Sequence, residues 1–338
     1  MSEGFLRMRA AVSVVGALLF SILLVPPSAA SFLGGCGGTS VQQSARPQQA
    51  ERRVFTDVLG HQVAWQEPPS RIVSLSPSLT EILFAVQCDA AVVGVTRFCN
   101  SPPAVQDLPK VGGVVDPSLE SILMLQADLV LATRGNSLEF MESLVHLGIP
   151  IYTLETRGDL EQILQTILEV GKITGREEPA RHLADSLRVR LDHVIERTAG
   201  LDPGARPRVY AGEMEGAHWT PGPGSFLHAV ITAAGGKNIG SIAPSAWSPL
   251  SLEAIIVHDP EVCLGIFGPL SGGDKEVVHK AVLHILQSNE AWERTSLGLN
   301  PRIFLVHEDR LQRPGPRVFD VLEELARYLH PELWNREE

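Results

Sequence analysis

The chain has 338 residues, 44% of them hydrophobic and 20% charged, which supplies enough apolar material for two medium lobes around separate cores and excludes disorder as the default state. Its formal charge of −11, with no clustering of Lys and Arg, excludes a nucleic-acid surface, because neutralising phosphates requires concentrated positive charge.

Residues 1–35 read as a signal peptide. Arg7 and Arg9 precede an apolar run from Ala10 to Val25, which Pro26 and Pro27 break before it reaches spanning length. Leu33-Gly34-Gly35-Cys36 then resembles a bacterial lipobox, in which Cys36 is lipidated and begins the mature chain; cleavage after Ser28-Ala29-Ala30 is the alternative and leaves no anchor. Residues 36–52 are small and polar without apolar periodicity, as in a flexible tether. With Cys36 acylated, Cys88, Cys99 and Cys263 remain, an odd number. Cys88 and Cys99 flank a predicted strand at opposite ends, roughly 20 Å apart, so a bridge between them is not expected.

From Val54 onward, short apolar runs alternate with helical patterns: strand from Arg71 to Leu75, helix from Ser78 to Val86, strand from Ala91 to Thr96, helix from Leu119 to Leu125, strand from Asp128 to Ala132. Alternation of this kind predicts a parallel sheet. Ser78-Leu79-Thr80-Glu81 fits a capping box, and Pro117-Ser118-Leu119-Glu120 places a cap and an acid at the next helix start. Between Asp159 and Thr198 the apolar residues recur only at helical spacing, on either side of a break at Gly175. Strand signals resume from Arg208 to Ala211, followed by a helix from Ser225 to Ala234, a strand from Ile303 to His307 and a helix from Pro316 to Leu329. His279 and His284 are five apart on a predicted helix, the wrong spacing for a shared metal, and read as surface residues. The chain also echoes itself. Leu119-Glu120-Ser121-Ile122-Leu123 followed by Asp128-Leu129-Val130-Leu131 recurs as Leu252-Glu253-Ala254-Ile255-Ile256 followed by Glu261-Val262-Cys263-Leu264, an offset of 252 − 119 = 133 residues. The expected organisation is an N-terminal α/β lobe over 53–158, a helical connector over 159–200 and a C-terminal α/β lobe over 201–338.

At this point the chain resembles the bacterial substrate-binding proteins of the cobalamin and ferric-siderophore type. The resemblance rests on Arg71-Ile72-Val73-Ser74-Leu75-Ser76-Pro77-Ser78-Leu79-Thr80-Glu81, Val93-Gly94-Val95-Thr96, Ser101-Pro102-Pro103, Ala234-Gly235-Gly236-Lys237-Asn238-Ile239, Arg313-Pro314-Gly315-Pro316-Arg317 and His330-Pro331-Glu332. It implies two Rossmann-like parallel-sheet lobes joined by a single long helix, an α/β fold of the class III periplasmic binding protein kind. It further implies an exported monomer, held to the membrane by a lipid anchor only, that hands a corrinoid, haem or ferric siderophore to an ABC importer permease dimer and has no cofactor of its own.

The family docks through an acid on a surface helix of each lobe, and Glu120 and Glu253 match those positions; the alternative role for each is to stabilise the first turn of its helix. Ligands in this fold lie among loops at the carboxyl ends of parallel strands, which nominates the loop residues Phe98, Thr133, Arg134, His218, Trp219, Asp309 and Arg313, with Trp247 in the loop before the Glu253 helix. By resemblance to the cobalamin-binding members, Phe98, Trp219 and Trp247 match aromatic pocket positions, while Val114 and Thr133 stand where those members carry further aromatics. Arg134 and Arg313 suit ligand carboxylates or phosphate, although Arg313 would equally brace its own loop through Glu308 or Asp309. His218 is a candidate axial ligand to cobalt or iron, or a plain loop histidine. Catalysis is not expected: there is no phosphate loop, dinucleotide fingerprint, nucleophile elbow or His-Glu-x-x-His, and Cys99 has no nearby base.

Overall fold

The computed structural model describes residues 52–269 and 273–335. The predicted signal peptide 1–35, the lipidation site Cys36 and all of the tether except Arg52 lie outside the described residues. None of the described helices is long and apolar enough to cross a membrane.

An antiparallel hairpin, β1 (Arg53–Thr56) and β2 (Gln62–Trp65), opens the chain. β3 (Ile72–Ser74), β4 (Val92–Val95), β5 (Leu129–Thr133) and β6 (Ile151–Leu154) then form a parallel sheet in the order β4-β3-β5-β6. α1 (Pro77–Ala85), α2 (Leu119–Met124) and α3 (Leu138–His146) make its crossovers. The helical segment is two helices, α4 (Leu160–Thr174) and α5 (Glu177–Ala199). They are antiparallel, as the Glu161–Arg188 ion pair across them requires, and the chain reverses at Gly175 with φ of 68°. α5, with 23 residues, is the single long helix expected between the lobes.

The second lobe contains β7 (Arg208–Ala211), β8 (Trp219–Pro221), β9 (Lys237–Asn238), β10 (Trp247–Pro249), β11 (Val262–Phe267) and β12 (Ile303–His307). β12-β11-β7-β9 is a second parallel sheet; β8 and β10 pair apart from it as an antiparallel ribbon. Its helices are α6 (Phe226–Ala233), α7 (Leu252–Val257), α8 (Lys275–Ser288), α9 (Glu290–Glu293), α10 (Ser296–Leu299), α11 (Glu308–Leu311) and α12 (Arg317–Leu329).

Strand residues alternate between two faces, and both are buried. Ile72, Leu129 and Leu131 share one core with Val209, Val262 and Leu264 of the other lobe, joined through α4, α5 and α12. Their neighbours Val73, Val130 and Ala132 pack outward under α2 and α3, and Tyr210 and Cys263 pack outward with α7, α8 and α9. Cys88, Cys99 and Cys263 are free and buried, in agreement with the absence of a bridge.

The lobes are also tied by charge at their strand ends. Glu81 on α1, only 6% exposed, accepts from the guanidinium of Arg313 at 3.3 Å and from Arg317 Nε at 2.9 Å, and Arg317 also reaches its second oxygen. Arg313 donates to the Asn100 side chain at 2.7 Å and to the Phe98 carbonyl at 3.0 Å, and it pairs with Asp309, to which Asn100 donates at 2.7 Å. Glu81, Phe98 and Asn100 belong to the first lobe, and Asp309, Arg313 and Arg317 to the second. The capping box expected at Ser78-Leu79-Thr80-Glu81 is therefore corrected. α1 begins one residue earlier, the Ser76 hydroxyl at its N-cap meets the Ser78 hydroxyl at 2.9 Å instead of capping a backbone N–H, and the Glu81 carboxylate is taken by the opposite lobe.

Two outcomes follow. Gly171→Ala should lower the urea midpoint even though alanine favours a helix by about 1 kcal/mol, since its methyl would overlap that of Ala180 and lie 3.0 Å from the Arg176 carbonyl. Glu81→Gln should cost about 3 kcal/mol in the same measurement, because it strips two guanidinium groups of their shared buried counter-charge; an unchanged midpoint would contradict the clamp.

Candidate functional site

The clamp sets the geometry of the site, because it joins the loop after β4 to the segment after β12 and so brings the carboxyl ends of the two sheets together. Phe98 stands at that junction on the first lobe and is 40% exposed. Arg97 lies 4.8 Å from the ring centroid and is itself fixed by two 3.0 Å bonds to Asp116, so the phenyl ring is backed by a charged plane.

On the second lobe the aromatic surface is the β8–β10 ribbon. The sequence placed Trp219 and Trp247 in loops, whereas both are on paired strands. Trp219 lies opposite Pro249 and Trp247 opposite Pro221. Because side chains alternate along a strand, both indoles project from one face, as diagonal neighbours about 7–8 Å apart. Thr220 and Ser248 project from the other face and are buried. Thr220 Oγ1 donates to the Ala211 carbonyl at 2.6 Å, which pins the ribbon to the carboxyl end of β7. Trp219 and Trp247 remain 46% and 47% exposed, a large apolar area for a protein to leave in water.

His218 precedes Trp219 with φ of 52°, a left-handed conformation uncommon for a residue with a side chain. Its Nδ1 lies 3.0 Å from the Glu213 carbonyl. A carbonyl only accepts, so Nδ1 carries the proton and Nε2 of the neutral ring keeps its lone pair.

The side chains of four other expected residues are engaged within the protein. Thr133 is buried, with its N–H donating to Asn136 at 2.7 Å and its hydroxyl to the same oxygen at 3.3 Å, so it presents no side chain to the cleft. Arg134 turns toward the outer strand β6, pairing with Glu155 at 2.9 Å and donating to the Val58 carbonyl at 3.1 Å. Asp309 and Arg313 are at the strand-end junction as expected, but their charges are spent on each other and on the first lobe. Bracing is thus what Arg313 does here, through Asp309 and across to Glu81. Sequence reasoning missed Asn100 and Arg317; the second lies within the Arg313-Pro314-Gly315-Pro316-Arg317 run and was the legible one.

Glu120 and Glu253 are both exposed in the first turns of α2 and α7. Each of these helices runs from the loop edge of its sheet back to a strand start, so both acids stand on the edge that carries the aromatic residues. The backbone N–H of Glu253 and the Ser251 hydroxyl hold the Glu253 carboxyl below the usual carboxylate range.

A concavity of about 1200 Å3 lies elsewhere, along α5 and α6 between Asp159 and Asn238. Its walls are helix sides such as Leu191, Ile195, Ala229 and Ala233, and none of the exposed aromatics lines it. The strand-end face is the better candidate because both the aromatic surfaces and the interlobe charges converge there. Among the described residues no group of three or more His, Cys, Asp or Glu is placed to hold a bare metal ion. Cys99 Sγ meets only the hydroxyls of Thr80 and Thr96, each at 3.2 Å, and burial pushes the Cys263 thiol up to about 12, which leaves neither as an activated nucleophile.

Comparison with known proteins agrees with this geometry. An uncharacterized ABC transporter substrate-binding lipoprotein of Bacillus subtilis, YvrC, is 27% identical over 312 residues, covering 90% of this chain and 95% of its own. The cobalamin-binding protein of Halobacterium salinarum is 24% identical over 320 residues, covering 92% and 84%. The apo periplasmic heme-binding protein RhuT of Roseiflexus superposes with a TM-score of 0.67 at 25% identity, covering 78% of this chain and 99% of its own. Residues 72–309 match the periplasmic binding protein family as a whole. With two parallel-sheet lobes and a long helix between them, the chain belongs to the periplasmic binding protein family and is a binding protein rather than an enzyme.

Proposed function

We propose that this protein captures a cobalamin-type corrinoid between its lobes, outside the cytoplasmic membrane, and delivers it to an ABC importer. The observation that carries the reading is the β8–β10 ribbon, which sets Trp219 and Trp247 side by side on one exposed face at the strand ends. A flat macrocycle is the ligand class that two adjacent indoles cover best, and Phe98 adds a third ring from the other lobe. The cobalamin-binding relative supports the ligand, and the lipoprotein relative supports both the importer and an anchor at Cys36. Because the clamp joins the lobes through side chains of this chain alone, affinity comes from a largely preformed cleft. Glu120 and Glu253 are the proposed contacts to the permease dimer.

Haem is the second reading, favoured by one observation. The bond to Glu213 makes Nδ1 of His218 the donor, so that in a neutral ring Nε2 is the nitrogen left for an axial bond to iron, and a heme-binding protein is among the structural neighbours.

Calorimetric titration of residues 52–338 with cyanocobalamin, cobinamide, haemin and ferric siderophores tests both. Submicromolar corrinoid binding is expected, with Trp219→Ala and Trp247→Ala each weakening it about 10- to 100-fold. Haemin binding that is lost in His218→Ala, with no corrinoid binding, would select the second reading. Binding of a ferric siderophore alone would reject both ligands while keeping the carrier role.

A further inference from the structure

The helices α2 and α7 repeat each other residue by residue. Each has six residues and opens on a serine whose Oγ accepts the backbone N–H three residues on, Ser118 from Ser121 and Ser251 from Ala254, both at 3.2 Å. Each buries one isoleucine, Ile122 or Ile255. Each is followed by one left-handed residue, Gln126 with φ of 48° or Asp259 with φ of 44°. Every pair is separated by the same 133 residues, as in 255 − 122 and 259 − 126.

At that spacing stand Glu120 and Glu253, both exposed, and also Met124 and Val257, which are 77% and 79% exposed. Met124 and Val257 lie four residues beyond their acids, on the same helix face and about 5–6 Å away. A single exposed apolar side chain needs no explanation. Two at one register of a repeated unit, each a turn away from an exposed carboxylate, are a patterned surface.

We infer that Met124 and Val257 are the apolar contacts of a two-point docking surface, whose occupant is a two-fold symmetric partner offering at each point a cation beside an apolar pocket. The inference rests on the proposed docking role of Glu120 and Glu253 and divides the work with them. Exposed ion pairs are screened and contribute little to final affinity, so the acids steer the encounter. Removing the apolar side chains from water is what makes the docked state last. The acids then act on the association rate, and Met124 and Val257 on the dissociation rate.

The test uses the permease–ATPase complex of the same cell, reconstituted in nanodiscs, with the mature protein binding to it in biolayer interferometry. Met124→Asn and Val257→Asn should each raise the dissociation rate about tenfold, at unchanged association rate and unchanged ligand affinity. Glu120→Gln and Glu253→Gln should slow association and flatten its dependence on salt. Retained ligand affinity reports that each variant is folded. If the acid variants associate slowly while both apolar variants dissociate as the wild type does, the apolar contacts are rejected and the docking reading stands. An effect at only one of Met124 and Val257 would overturn the two-fold partner. Acid variants that associate as the wild type does would remove the docking reading and this inference with it.

Discussion

A carboxylate with almost no access to water, shared between two guanidinium groups from the opposite lobe, is the contact on which the architecture depends. Taking Glu81 out of water is costly, and Arg313 and Arg317 offset that cost only if the lobes meet in one arrangement. Asn100 and Asp309 remove the remaining freedom, since Asp309 accepts from both Asn100 and Arg313. The strand-end loops thereby become a surface of defined shape rather than two surfaces free to separate. α5 sets the other boundary, packing against α4, α6 and α12 over most of its length. Held by a helix on one side and by charge on the other, the lobes have little hinge freedom.

Much of this was legible in the chain. The strands Arg208–Ala211 and Ile303–His307 have the bounds that periodicity assigned them, because each is a short apolar run in a sheet buried on both faces. Gly175 marked the reversal between α4 and α5, where the left-handed backbone favours glycine. The 133-residue echo extended further than its hydrophobic pattern implied, down to the left-handed residues Gln126 and Asp259 that close the two helices.

What sequence could not supply was the partner of each charge. Glu81 has the spacing of a capping residue, and its true partners are more than 230 residues away. Thr133 ends and Arg134 follows a strand, as cleft residues should, yet Arg134 is drawn to Glu155 and Thr133 into a turn with Asn136. Trp219 and Trp247 were recognised as aromatic but not as neighbours. Their strands are three residues each and pair only with one another, too short to leave an alternating signature.

That ribbon has a consequence for how such a carrier changes over generations. It is fastened to the sheet through Thr220 and buries Thr220, Pro221 and Ser248 but neither indole, so the residues at positions 219 and 247 can be exchanged without disturbing the core. The helices that repeat around Glu120 and Glu253 are built on separate segments and owe nothing to it. On the proposed reading, in which the ribbon holds the cargo and those helices meet the importer, cargo preference can drift while the address of delivery stays constant, and one importer can inherit carriers for chemically different loads.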